Sequence, residues 1–388
     1  MNSDYIPLII AGLVLISSLI SLRLGLSVAI IEILLGAIAG NLGLTTENWM
    51  LYLANFGGII LTYLAGTEID TKMMRNNFKE SFLIGFFSFL LPFIGVCLYT
   101  YFVSGWTFQS SLIAGCALST TSLAVVYSVL VETGLSKTNI GKKIMSATFI
   151  TDMGTALALS VLFIKPTWYT LLFVVVSTVL TYILYKFSGY ILRNPRWANK
   201  VIEPEIKFIF FILFAFIFFA KLGEGHAVLP AFILGLLMSK HFHEQRKTVV
   251  VRNKLRTVAY AIVTPIFFIV GGMKISVVLI ISAMGLFVIL FAVKMVMKFV
   301  GVYFFAKKFI PHGSMYTTLL MSTGLTFGTI SSMYGLQSGL INQVQYSVLV
   351  GVVVASAVIP TFIAQKWFMP HHEEDLLNDN NGVGASSK

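Results

Sequence analysis

The sequence predicts an all-α, polytopic membrane protein of about 13 transmembrane helices, built as two inverted repeats with crossed broken helices. Three observations carry that prediction. Hydrophobic residues make up 57% of the 388 residues and charged ones only 11%, with a mean hydropathy of +0.87, which leaves too little polar surface for two or three soluble domains. Apolar runs of helical length recur along the chain, bounded by Lys, Arg, Pro and Gly. Two of those runs are interrupted at corresponding places by small hydroxyl residues and glycine.

Taking roughly 17 to 25 apolar residues per crossing, spans fall near 5–22, 26–43, 50–67, 81–104, 108–131, 144–164 and 168–192. Six more lie near 205–221, 225–240, 257–273, 277–305, 313–336 and 344–367. The first run follows Asp4 instead of a basic segment and lacks a small-residue cleavage site, so it reads as a retained helix. Residues 1–367 thus form one transmembrane unit. Residues 368–388, with Glu373-Glu374-Asp375 followed by Asn, Gly and Ser, read as a disordered tail. Cys97 and Cys116 fall inside apolar runs, where a small buried hydrophobe is the expected role.

The net charge of +11 is a matter of topology and not of nucleic-acid binding, because the basic residues lie mostly in short loops. One set of alternate loops, from Arg23 through Lys72, Lys142, Arg193 and Arg252 to Lys308, holds nineteen Lys and Arg; the opposite set holds Lys165, Lys221 and Lys274. The positive-inside rule then puts the N-terminus outside and the C-terminal tail in the cytoplasm of a multi-pass cell-membrane protein.

Span five carries Ser119-Thr120-Thr121-Ser122 near its middle, and span twelve carries Ser322-Thr323-Gly324-Leu325-Thr326. Consecutive hydroxyls bond the backbone in place of the helical ladder, and Gly324 removes the steric objection to unwinding. Small residues also serve as ordinary packing positions between membrane helices. Their matched placement favours two broken helices. The spans lie seven crossings apart and so run in opposite senses, which sets spans one to six against eight to thirteen, with span seven as linker.

Asp152 is a carboxylate inside an apolar span, a placement that costs roughly 2.5 to 3.5 kcal/mol on the lenient insertion scale. At about 1.5 Å per residue it lies on the order of 12 Å from the cytoplasmic end, in the same slab as both breaks and Lys298. Such a carboxylate exchanges a proton for a hard cation, so Asp152 is the candidate site for Na+, Li+ or K+ and for H+. Thr151 offers a hydroxyl oxygen or packs as an ordinary helix residue; Thr121 and Ser122 bring hydroxyls from the first break. Lys298, about 10 Å deep, balances the charge or snorkels to the inner interface, and Lys294 one turn deeper is its rival. Glu32 is a rival acid with no hydroxyl cluster beside it, read as structural. Glu68 and Asp70 beside Lys72 and Arg75 read as a loop salt bridge. No phosphate-cradling loop, nucleophile elbow or metal-ligand spacing is evident, so neither an enzyme nor a cofactor is expected.

These residues resemble the monovalent cation:proton antiporters of the NapA and Kef branch over nearly the full length. The matching pieces are Leu34-Leu35-Gly36 through Gly40, Gly66-Thr67-Glu68 through Asp70, Thr121-Ser122, Thr151-Asp152, Pro265-Ile266-Phe267-Phe268, Lys298, and Met321 through Gly324. The resemblance implies an antiporter fold of the NhaA/NapA type, a homodimer surrounded by lipid, and a six-helix core containing both crossings. It also implies Asp152 as the transport carboxylate, Lys298 as the membrane lysine, and elevator movement of the core. There is a departure, since electrogenic relatives carry two adjacent acids where this chain has Thr151-Asp152. The expected activity is therefore secondary antiport of a monovalent cation, sodium first, against protons, and electroneutral. The competing reading is a sodium-coupled organic-solute symporter of similar architecture.

Overall fold

The computed structural model describes residues 5–24, 27–67, 78–163, 168–193, 203–222, 227–244 and 246–370. All regular structure among them is helical. The helices are α1 (Ile6–Leu24), α2 (Val28–Asn41), α3 (Asn48–Thr67), α4 (Phe78–Leu98), α5 (Phe108–Ser119), α6 (Leu123–Glu132), α7 (Asn139–Leu162), α8 (Trp168–Arg193) and α9 (Pro204–Leu222). Then come α10 (Val228–Glu244), α11 (Arg246–Val258), α12 (Thr264–Met273), α13 (Val277–Ser282), α14 (Met284–Phe309), α15 (Ser314–Met321), α16 (Thr326–Gln337) and α17 (Gln343–Trp367). Seven helical segments among the described residues are long and apolar enough to cross a membrane, and shorter apolar helices such as α2 and α5 accompany them.

Each apolar run of the sequence falls on a helix or an interrupted helix, with two differences. The run at 277–305 is split at Ala283, between Ser282 and Gly285, into α13 and α14. The run at 257–273 begins earlier, because α11 continues through a π-helical turn, Ala259–Val263, into α12. Pro265, which has no N–H for the helical ladder, sits at the start of α12, where that loss is tolerated. Glu68, Asp70, Lys72 and Arg75 lie outside the described residues, as does the tail from residue 371.

The chain divides into two compact units: Met1–Thr71 with Ala156–Ile275, and Lys72–Thr155 with Ser276–Lys388. Helix α7 belongs to the second unit through Thr155 and to the first beyond it.

In the first unit α2 packs along α12, and α3 along α10. Both contacts bring backbone against backbone. A Cβ on Gly36 would collide with the carbonyl group of Ile269 and one on Gly40 with that of Met273, while Gly66 and Gly235 are closed off in the same way between α3 and α10. Only glycine permits so near an approach, which membrane helices use because lipid supplies no hydrophobic drive between them. Phe56, Ile60 and Tyr63 of α3 join Ile209, Leu213 and Phe216 of α9 and Ala231 and Leu234 of α10 in one apolar core. Glu32 is buried on α2 in this unit.

In the second unit α14 packs on α4, α4 on α5, α14 on α15, and α16 on α5. The packed pairs thus match in kind between the halves of the chain, α2 with α12 and α3 with α10 in the first unit and α4 with α5 and α14 with α15 in the second.

The glycine contacts make a test. Gly36→Val should destabilise the protein by about 1 to 3 kcal/mol, read as a lower melting temperature in detergent. Gly12→Val should leave the melting temperature unchanged, because nothing lies within 4 Å of a Cβ at Gly12.

Candidate functional site

The two interruptions read from the sequence are real breaks, and both lie in the second unit. Helix α5 ends at Ser119 with Thr120 as its extended C-cap, and α6 resumes at Leu123. Helix α15 ends at Met321, and α16 resumes at Thr326 after Leu325. All of Ser119, Thr120, Thr121, Ser122, Ser322 and Thr323 are 0–1% exposed, so water does not answer their polar groups. The two breaks answer each other. The Ser122 amide donates to the Thr323 carbonyl at 3.1 Å, and Thr121 Oγ1 donates to the Met321 carbonyl at 2.7 Å.

The remaining hydroxyls of the breaks turn back on their own helices. Ser119 donates to Cys116 O, Thr120 to Ala117 O, Ser322 to Thr318 O and Thr323 to Leu320 O. This is the local competition with the helical ladder that small hydroxyl residues were expected to offer. Ser122 Oγ accepts from the Val125 amide at 3.4 Å, in the manner of an N-cap on α6. Thr326 begins α16 and is half-buried.

Asp152 lies within α7, whose close contact with α4 is set by Gly85 against Ala147 and Gly154 against the Phe89 ring. It is 2% exposed. Thr148, one turn before Asp152 on the same face, places its hydroxyl 3.6 Å from Met321 Sδ and so ties this face of α7 to the second break. Thr151 is also buried, and its hydroxyl donates to the Thr148 carbonyl at 2.6 Å. Its proton is therefore committed, while its oxygen lone pairs stay available to a cation.

Lys298 corrects one alternative. The sequence left it free to snorkel toward the inner interface, but the side chain is 0% exposed. Its ammonium is held inside, donating to Ser88 Oγ at 2.9 Å and to Thr121 Oγ1 at 3.0 Å. Thr121 thus accepts from the lysine of α14 and donates to the second break with one hydroxyl. Asp152 lies close enough for its charge to act on Lys298, as does Lys294. Lys294 is likewise 0% exposed, and its ammonium donates to Ser356 Oγ on α17 at 2.7 Å.

The structure therefore gathers Asp152, Thr151, Thr121 and Lys298 with both breaks in one unit. Ser88 and Ser356 are additions that sequence reasoning missed. Each shares its apolar helix with a second serine, Ser81 in α4 and Ser347 in α17, and nothing in one sequence distinguishes such a serine from a packing residue.

Comparison with known proteins places this arrangement. The family described as sodium/hydrogen exchanger, transmembrane, matches residues 9–368. The chain is 28% identical over 358 residues to a probable Na(+)/H(+) antiporter 3 of Methanocaldococcus jannaschii, covering 88% of this chain and 90% of that one. It is 26% identical to a Na(+)/H(+) antiporter of Enterococcus hirae, covering 90% and 93%, and 26% identical to the Na(+)/H(+)-K(+) antiporter GerN of Bacillus cereus, covering 88% and 89%. The fold is similar to that of the sodium proton antiporter MjNhaP1 from Methanocaldococcus jannaschii, with a TM-score of 0.64 over 93% of this chain and 98% of that one at 11% identity. A match running almost from end to end shows that this protein belongs to the transmembrane sodium/hydrogen exchanger family.

Proposed function

We propose that this protein is a secondary antiporter that exchanges a monovalent cation, sodium in the first place, for protons across the cell membrane. The observation that carries the reading is Asp152, a buried carboxylate in the unit where the two breaks meet and within the electrostatic reach of Lys298. Asp152 holds the proton or the cation in turn. Thr151, Thr121 and Ser122 supply oxygens, and the ends of the broken helices add fixed partial charges. Lys298 is the counter-charge when the carboxylate holds neither. Lithium and potassium are the other cations that one carboxylate with neutral oxygens would admit.

We read the unit that carries both breaks as the moving part of an elevator, because Asp152, Lys298, Thr121 and the second break all belong to it and would travel together. Spans one to six and eight to thirteen are the two repeats, joined by span seven. The chain works as a homodimer in lipid, with its N-terminus outside and its C-terminus in the cytoplasm.

Electroneutral exchange follows from Thr151. A threonine does not ionise in the working pH range, so the site has one acid where electrogenic designs have two adjacent ones.

Three experiments decide these points. In proteoliposomes, Asp152→Asn should abolish sodium-driven proton movement while the folded protein persists in size-exclusion chromatography; exchange at the unaltered rate in that variant would overturn the mechanism. Thr121→Val removes both a partner of Lys298 and the bond to Met321, and should raise the apparent KM for sodium about tenfold, the equivalent of one lost hydrogen bond. Thr323→Val removes only a bond to its own helix and should weaken affinity less. Clamping the membrane potential with potassium and valinomycin should leave the sodium-driven rate almost unchanged, whereas a steep rise with potential would show charge-moving exchange.

A further inference from the structure

Helix α8 packs on α10 in the first unit, and residues of both line a cavity of about 430 Å3 that the exchange site does not use. Proteins hold small ligands in cavities of about 300 to 1,000 Å3. This one runs along α8 from Phe173 to Tyr182, about 14 Å at the rise of an α-helix. Leu229, Pro230, Ile233 and Leu237 of α10 line it as well, and so does Ser160 from the part of α7 that belongs to the same unit.

Two serines set the cavity apart from a packing gap. Ser160 is 8% exposed and Ser177 5%, and the hydroxyl oxygen of each is buried without a hydrogen-bond partner among the described residues. Other hydroxyls of the same two helices are answered locally. Thr148 and Thr155 of α7 donate to the carbonyl one turn back, and Thr178 of α8 does the same. A buried hydroxyl that makes no hydrogen bond is costly, so two of them on one cavity point to an occupant that accepts hydrogen bonds.

The lining selects the chemistry of that occupant. Among the described residues no charged side chain lines the cavity, so an ion, or a fatty acid with its carboxylate, would lie there without compensation. Apolar groups make up most of the wall, and Val174, Ile233 and Tyr182 on it are themselves exposed. In a chain of this hydropathy that exposure faces hydrocarbon, so the approach is sideways from lipid. An uncharged carbonyl on a long apolar chain satisfies the hydroxyls, the apolar wall and the absence of charge together.

We propose that this cavity binds a glycerolipid of the bilayer by one acyl chain. The chain lies along α8 against α10, its ester oxygens accept from Ser160 and Ser177, and the headgroup stays outside. The inference needs only the membrane setting of the protein and stands apart from the role of Asp152.

The probe is a phosphatidylcholine with a diazirine in one acyl chain, added to the purified full chain in detergent and cross-linked by light. Peptides carrying residues 173–182 and 229–237 should be labelled well above those of α1, whose side chains are mostly exposed. Labelling no greater than on α1 would mean unspecific contact with surrounding lipid and would overturn the proposal. Unlabelled competitors read the chemistry: the ester lipid should displace the probe at about three- to tenfold lower concentration than its diether analogue, which has no carbonyl. Palmitate should compete no better than the diether. Equal competition by ester and diether, or better competition by palmitate, would sink the ester assignment. In the double variant Ser160→Ala, Ser177→Ala the advantage of the ester should vanish, and its survival there would show that these hydroxyls do not hold the lipid. The ester and diether are compared in the unaltered chain, so the proposal stays open to refutation even where the double variant does not fold.

Discussion

The constraint on which this structure turns is the absence of water from the middle of a membrane. A helix that stops there leaves amides and carbonyls that nothing outside the protein can satisfy, at several kcal/mol each. This chain stops two helices at the same level and lets them supply one another. The Ser122 amide finds the Thr323 carbonyl, and the Thr121 hydroxyl finds the Met321 carbonyl. Neither break is tenable alone, so the crossing forms as a unit or not at all. Every charged group of the site is then placed with respect to that junction.

Hydroxyl groups make this economical. A threonine that sends its proton to a carbonyl still has lone pairs for a cation or an ammonium, so one side chain serves backbone and ion together. Thr121 does so between α15 and α14. Thr151 spends its proton on the Thr148 carbonyl and keeps its oxygen lone pairs. A carboxylate in these places would bind ions more strongly but would need its own compensation in low dielectric.

Much of this was legible in the sequence because membrane burial writes itself in long apolar runs and in the few polar residues that interrupt them. The hydroxyl stretches at 119–122 and 322–326 and the lone Asp152 stood out against that background, and the structure draws the breaks where those stretches lie. Side-chain direction was less legible. Lys298 at its depth has reach enough for the interface or for the interior, and only the positions of Ser88 and Thr121 decide the matter. Those partners lie 210 and 177 residues away along the chain. The division of α13 from α14 at Ala283 is flanked by Ser282 and Gly285, but one serine and one glycine in so long an apolar run also serve as ordinary packing residues, so they did not mark it.

The glycine seams of the first unit reach beyond packing. At Gly36, Gly40, Gly66 and Gly235 the side chain is already a single hydrogen atom, the smallest that the genetic code can specify. Every coding change there enlarges the residue against a peptide group that cannot yield as a side chain would. Evolution has no conservative option at such positions, whereas the apolar faces around them accept many exchanges of similar volume. The two seams therefore fix the spacing of these helix pairs more tightly than the apolar faces around them do, because any side chain at the four positions must push a helix away from its neighbour.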